Sequence, residues 1–293
     1  MIPLMRRKEI TASYLFLLPA LVLLIVFYIV PTLYAFIISF TEYSVLKPPK
    51  WNGGVNYIRI LTSSTFLQAT LNTVVYSLYF IPGIILVSFI IATFLQEFGG
   101  RWSGPLLTAF YVPRMTSMVV ASFIWLWMYQ PDSGLLNSIL KFFHLPPQQW
   151  IYSTTTVLPS VALVTIWKDF GYTTVLLVAG MQSIQTELYE AARIDGANRW
   201  QSFWRITVPL LKPVTLLVVV KTFIDSFRAF TQIFVMTKGG PANASSTIVH
   251  QIYVTGFNYL RLGEASAMSF VLLVLLMIAF IPYIRMLRAE SDV

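Results

Sequence analysis

The sequence contains no cysteine among its 293 residues. That excludes a disulfide framework and any thiolate metal site. It holds two histidines, His144 and His250, far apart in the chain, so a histidine-rich metal centre is not expected. Charge is scarce as well. Asp, Glu, Lys and Arg make up 11%, against roughly 25% in soluble domains. With 57% hydrophobic residues, that shortfall sets the class: a polytopic membrane protein. No G-x-x-x-x-G-K-[ST] phosphate loop occurs, so if ATP drives this protein, another chain must bind the nucleotide. There is no internal repeat and no low-complexity tract. The net charge of +8 does not argue for nucleic acid, because basic residues gathered on one membrane face account for it.

Long apolar runs are what the sequence does have. Arg6, Arg7 and Lys8 precede a charge-free run over residues 10–41. The start resembles a signal peptide, but it lacks a convincing small-residue cleavage site, so it reads as an uncleaved first span. A helix needs about 20 residues to cross the hydrocarbon core. Six spans fit, at about 14–40, 71–95, 105–129, 157–180, 214–236 and 265–284. Pro19 and Pro31 are expected to kink the first. The connections carry turn signals at Pro48, Pro49, Gly53, Gly54 and 238–241. Short helices are expected at 135–143 and around Ile248, Ile252, Tyr253 and Phe257.

Six spans put both termini on one side. Lys and Arg test which side that is. The side with the termini carries Arg6, Arg7, Lys8, Arg101, Arg193, Arg199, Arg205, Lys212, Arg285 and Arg288. The other side carries Lys47, Lys50, Arg59, Lys141, Lys238 and Arg261. The excess places the termini and the 181–213 loop in the cytoplasm.

Residues 187–213 read ELYEAARIDGANRWQSFWRITVPLLKP. They form the longest densely charged stretch and lie between two spans. Two short amphipathic helices joined at a glycine fit it. Thr186 suits an N-cap, and Glu187 and Glu190 fall in the first turn, where acidic groups match the positive helix end. Leu188, Ala191, Ala192 and Ile194 give an apolar face. Gly196 can take the left-handed conformation that ends a helix. A second helix is expected from about Asn198, with Pro209 and Pro213 breaking or kinking the chain as it re-enters the bilayer.

This stretch resembles the EAA loop of ABC-importer membrane subunits. The family pattern is E-A-A, three residues, G, nine residues, I, one residue, L-P. Glu190, Ala191, Ala192, Gly196, Ile206 and Pro209 match it, and Val208 replaces the leucine. Further signatures narrow the resemblance to carbohydrate importers of the maltose type: Trp167, then Gly180-Met181-Gln182-Ser183-Ile184, Thr237-x-Gly239-Gly240-Pro241-x-Asn243, and Gly263-x-Ala265-Ser266-Ala267. The chain lacks room for the large periplasmic insertion of the enterobacterial maltose subunit.

The spans also hold charge. Lys168 and Asp169 are adjacent and expected to point in different directions. Lys221, Asp225 and Arg228 are spaced so that Asp225 is neutralised within its own helix. Arg114 is expected to snorkel toward the cytoplasmic side. A charge at the bilayer centre costs at least about 2.5–3.5 kcal/mol, so these groups should face a partner helix or a wet cavity. Lys168, Asp169, Lys221, Asp225 and Arg228 read equally as a polar translocation path or as ion pairs holding helices together. Trp167, Tyr172 and Gln232 join the candidate path, since aromatic faces stack on sugar rings. Trp125, Trp127 and Tyr129 read better as an interfacial belt.

The resemblance implies an all-α, six-span transmembrane bundle of type I ABC-importer permease architecture. It implies tails at 1–12 and 289–293, a span domain over 13–288 and a coupling loop at 181–213. Glu190, Ala191, Ala192, Asp195, Gly196, Arg199, Ile206 and Pro209 would dock an ATPase. The implied partners are a second permease subunit, two ATP-binding subunits carrying ATP and Mg, an external sugar-binding protein and the bilayer. No cofactor is expected on this chain itself. The implied location is the bacterial inner membrane. Two other readings stand beside this one: an ion-coupled secondary transporter using Asp169 and Asp225, and a membrane scaffold that only recruits a partner. An intramembrane enzyme is disfavoured, because no nucleophile–base pair is evident.

Overall fold

A computed structural model describes residues 4–45 and 47–291, with side chains for 13–45 and 47–281. The side chains of Arg6, Arg7, Lys8, Arg285 and Arg288, and those of both expected tails, lie outside the described ones. In chain order the elements begin with α1 (Leu4–Leu24), α2 (Val30–Ile38), β1 (Thr41–Ser44), β2 (Lys47–Trp51), α3 (Val55–Thr62) and α4 (Ser64–Phe98). They continue with α5 (Ser103–Met115), α6 (Met118–Met128), α7 (Leu135–Phe142), α8 (Val157–Gln182) and α9 (Thr186–Ile194). The last are α10 (Arg199–Ser202), α11 (Val208–Leu210), α12 (Lys212–Phe227), α13 (Thr231–Met236), α14 (Ile248–Tyr253) and α15 (Leu262–Ser291). Among the described residues four helices are long and apolar enough to span a bilayer, and counting each of two bent pairs as one span brings the number to six.

The chain divides into two compact units: residues up to Ser63 with Ile252–Leu273, and Ser64–Gln251 with the segment from Val274 onward. In the first unit α1 and α2 are joined by a π turn over Ile25–Ile29. Pro31 has no N–H for the Phe27 carbonyl, and the wider turn absorbs that loss. Pro19 lies within α1, which runs unbroken past it, so no break forms there. The expected plain connection after the first span contains an antiparallel ribbon, β1 with β2. Phe40 stacks on Trp51 at 5.7 Å. Asn56 donates to the carbonyls of Ser39 at 2.8 Å and Thr41 at 2.9 Å, covering acceptors that a helix end leaves open.

In the second unit α4 starts seven residues before the hydrophobic stretch. Hydropathy marks where the oil begins, whereas the helix extends into polar sequence. There Thr70 donates to the Phe66 carbonyl at 2.9 Å and Gln68 to Asn72 at 2.9 Å. Span 105–129 is not the continuous helix expected. It breaks at Thr116 and Ser117 with a 95° bend. Both residues are extended, and the Ser117 hydroxyl caps α6 by accepting from the Val120 N–H at 3.2 Å. Span 214–236 is also interrupted, since α12 ends at Phe227 and α13 resumes at Thr231.

The core forms where α4 packs along α8, with Tyr76, Phe80 and Ile84 against Val157, Val161 and Val164. α5 lies directly on α8: a Cβ at Gly171 would fall 2.0 Å from the Phe110 carbonyl oxygen. The aromatic belt reading fails for two of three residues. Trp125 and Tyr129 are buried in this core, and the Tyr129 hydroxyl donates to the Ser160 carbonyl at 2.8 Å. Only Trp127 is exposed.

Candidate functional site

The loop between α8 and α12 is built by two capping motifs back to back. α9 ends in a left-handed turn at Gly196, φ +79°. The Ala197 N–H donates to the Ala192 carbonyl at 2.8 Å and the Gly196 N–H to the Arg193 carbonyl at 3.1 Å. That pair of bonds is a Schellman ending. Two residues later Asn198 opens α10 with a capping box. Its side chain accepts from the Gln201 N–H at 2.8 Å, and its own N–H donates to the Gln201 side chain at 2.9 Å. The N-x-x-Q spacing that signals this box was legible but not part of the sequence reading. Thr186 proves to be the first helical residue of α9, with Gln185 at the cap position.

Pro209 does not end the second arm. The arm continues through a π turn over Phe203–Thr207 into α11, because Pro209 cannot donate to the carbonyl four residues back. The bend, 65°, comes at Leu211, just before Lys212-Pro213. Leu211 is fully buried against Ala92, Leu177, Val178 and Met181. It therefore roots the loop in the membrane helices. The Tyr189 and Thr207 hydroxyls lie 2.9 Å apart, and Arg199 pairs with Glu97 on α4 at 3.2 Å.

α9 consequently has two faces. Glu187, Glu190, Ala191 and Ile194 form an exposed stripe at helical spacing, and Ile194 is 87% exposed. Ala192 is half-buried, Asp195 and Gly196 are exposed at the turn, Ile206 is half-buried and Pro209 exposed. A carboxylate-bearing stripe that ends in a bare isoleucine suits docking rather than packing.

A second site lies at the α5–α6 break. Asp169 accepts from Arg114 at 2.5 Å and lies 3.8 Å from the Lys168 amine. Lys168 and Asp169 thus converge despite adjacency, because the long lysine stem reaches round and donates to the Arg114 carbonyl at 3.2 Å. Arg114 is held here rather than snorkelling. Lys221 pairs with Asp225 at 2.5 Å. Tyr172 sits between the pairs, 5.2 Å from the Arg114 guanidinium and 4.9 Å from the Lys221 amine. The cluster holds three cations and two carboxylates. Arg114 was missed as a member; the Pro113-Arg114 step before Thr116-Ser117 was the available signal.

The other path candidates make different contacts. Arg228 is exposed at the end of α12. Gln232 is buried and donates to the Tyr76 hydroxyl at 3.0 Å, which in turn donates to Thr165 at 2.9 Å. Trp167 packs edge-on to Trp125 at 5.8 Å. Asn72, also missed, donates to the carbonyls of Asn243 at 2.8 Å and Ser246 at 3.0 Å, pinning the Gly-Gly-Pro-x-Asn loop to α4. Nearby, His250 is buried with Ser246 3.0 Å from its Nδ1, and burial pushes the imidazole below its ordinary pKa.

Residues 60–289 match the family described as binding-protein-dependent transport system inner membrane component. The chain belongs to that family. A trehalose/maltose transport system permease protein of Thermococcus litoralis is 33% identical over 293 residues, covering 98% of this chain and 97% of the relative. An arabinooligosaccharides transport system permease protein of Bacillus subtilis is 32% identical over 269 residues, covering 91% and 85%. In fold, the permease superposes on a chain of a bacterial alginate ABC transporter, crystallised in complex with an alginate pentasaccharide-bound periplasmic protein. That match has a TM-score of 0.83 at 23% identity and covers 97% of this chain and 96% of the other. The protein is thus a multi-pass inner-membrane permease component of an ABC transporter. The ion-coupled alternative gains nothing from the structure, since Asp169 and Asp225 are each already held by cations.

Proposed function

We propose that this permease forms half of the translocation path of an ATP-driven sugar importer and receives its drive through the 181–213 loop. The exposed stripe of α9 carries the reading. Glu190 would meet a basic group on an ATPase subunit. Ala191 and Ala192 would let the partner backbone approach, and Ile194 would fill an apolar socket. The two capped arms, tied by Tyr189 and Thr207 and rooted by Leu211, would move as one rigid lever. Closing of the ATPase pair around ATP and Mg would push this lever and rock the spans between inward- and outward-open forms. No step of that chemistry falls to this chain.

A sugar cargo is supported by the names of the two relatives and by the carbohydrate-branch signatures. The Arg114, Lys168, Asp169, Tyr172, Lys221 and Asp225 cluster would line the path, offering donors and acceptors to hydroxyls and an aromatic face to a ring. The Lys and Arg excess supports cytoplasmic tails at 1–12 and 289–293 and a cytoplasmic loop. The remaining partners would be a second, similar permease and an external sugar-binding protein.

The test is purification from native membranes in mild detergent, with every accompanying chain identified. Recovery of a phosphate-loop ATPase and a second six-span protein supports the reading. A chain recovered alone or as a self-oligomer overturns it. Because the sequence has no cysteine, Ile194→Cys gives one clean site for cross-linking to the ATPase.

A further inference from the structure

Behind the docking stripe lies a cavity of about 740 Å³. It opens between the ends of α4 and α8 and the inner face of the loop. Gln96, Glu97, Gln182, Tyr189, Arg193 and Phe203 contribute to its wall. Tyr189 and Arg193 stand one turn apart on α9, Tyr189 half-buried and Arg193 exposed beside the docking stripe. Glu97 is already matched by Arg199 at 3.2 Å. Among the described residues Arg193 has no acidic partner. The unbalanced charge of the wall is therefore positive.

Thr93 also borders this cavity, and its hydroxyl differs from others on α4. Thr70 and Thr73 donate back to carbonyls one turn earlier, at 2.9 and 2.8 Å. The Thr93 hydroxyl is buried with no partner. The wall combines a forked guanidinium suited to a two-oxygen anion, two amides that both donate and accept, and the rings of Tyr189 and Phe203.

We propose that this cavity binds an anionic polyol, with its phosphate on Arg193 and its hydroxyls on Gln96 and Gln182. Its occupancy restrains α9 against the ends of α4 and α8. Two sources share that chemistry: a soluble sugar phosphate and the glycerophosphate headgroup of a lipid. The binding part stands on the cavity alone. The restraint on coupling rests on the proposed role of the loop.

The experiment uses the assembled importer in nanodiscs of phosphatidylcholine, titrated with glucose 6-phosphate, reading thermal unfolding and binding-protein-stimulated ATPase in parallel. A ligand specific to the folded state raises the unfolding midpoint by mass action. Protection of the wild type, weakened about tenfold in Arg193→Gln, supports the site with a soluble ligand. No response to glucose 6-phosphate, but a shift on adding phosphatidylglycerol to the discs that Arg193→Gln loses, supports it with a lipid ligand. Absence of both responses, or equal responses in wild type and Arg193→Gln, overturns the proposal. Should Arg193→Gln fail to assemble, Gln182→Leu takes its place and should weaken binding severalfold. Protection with unchanged ATPase overturns the restraint alone, and the Ile194→Cys cross-link reports separately on whether the loop docks at all.

Discussion

The hydroxyls of Tyr189 and Thr207 meet at 2.9 Å across the two arms of the loop. This bond joins the first turn of α9 to the π turn that carries the chain back toward the membrane. Tyr189→Phe removes it while keeping the ring. The expected cost is about 1 kcal/mol, felt as a looser lever. Assembly with the ATPase should persist, while sugar transported per ATP hydrolysed falls severalfold. Transport stoichiometry in proteoliposomes measures this, and an unchanged ratio would rule out the tie.

Gly196 sits at φ +79° with open space where a Cβ would go. The demand on this position is therefore conformational and not steric. Gly196→Ala should cost about 1–2 kcal/mol and leave the transmembrane core intact. Cross-linking from Ile194→Cys should fall in yield, whereas the thermal midpoint of the assembly should barely move. A large loss of midpoint would place the role of Gly196 in packing instead.

Gly171 presents the opposite case. Its Cβ would strike backbone, the Phe110 carbonyl 2.0 Å away, and neither helix can yield by a rotamer change. Gly171→Ala should separate α5 from α8 at a cost of at least about 1–3 kcal/mol. Reduced expression and a lower unfolding midpoint in detergent are expected. Wild-type stability in this variant would show that the two helices do not approach so closely.

Asp169 balances Arg114 and stands 3.8 Å from Lys168. Asp169→Asn leaves two cations facing one another beside a helix break. Breaking a fully buried pair from one side costs about 3–5 kcal/mol, and the cost here should be smaller because a third of the Arg114 side chain is exposed. Arg114→Leu combined with Asp169→Leu should regain part of that stability while transport stays lost. Double-mutant thermal unfolding measures the recovery.

His250 gives a pH dependence of definite sign. Burial holds its pKa below the ordinary value, which is about 6.5. Above that value the imidazole is neutral whether folded or unfolded, and no effect appears. As pH falls below about 6.5, the unfolded chain takes up a proton that the folded one refuses, so stability declines until the folded pKa is reached. His250→Gln should flatten the slope of the unfolding midpoint between neutral and mildly acidic pH. An identical slope in both proteins would assign the dependence to other groups.

Much of this was legible in sequence. The spans show because uncharged runs are long, and the loop shows because its charges stand out against them. The helix end at Gly196 follows from the residue alone. The break at Thr116 and Ser117 was hidden, because both residues lie inside an apolar run whose hydropathy stays high on either side. The meeting of Arg114 with Asp169 was hidden for the same reason: their 55-residue separation closes only once the break is known. Trp125 and Tyr129 were misplaced because composition cannot tell the membrane interface from the interior of the bundle. The role of Asn72 gave no local signal, since its bonds to the Asn243 and Ser246 carbonyls reach an element far away in the chain.

Almost every bond that shapes the loop begins and ends inside it: the Schellman turn, the capping box and the Tyr189–Thr207 tie. Its attachments to the spans include Leu211, Met181 and Ile184 packed against α4 and α8, and Arg199 on Glu97 and over the Phe98 ring. The loop is therefore a transplantable part. It could be exchanged between permeases of different cargo, provided the residues around Leu211 and the acid facing Arg199 travel with it. Drive and selectivity could then diverge independently within one chain.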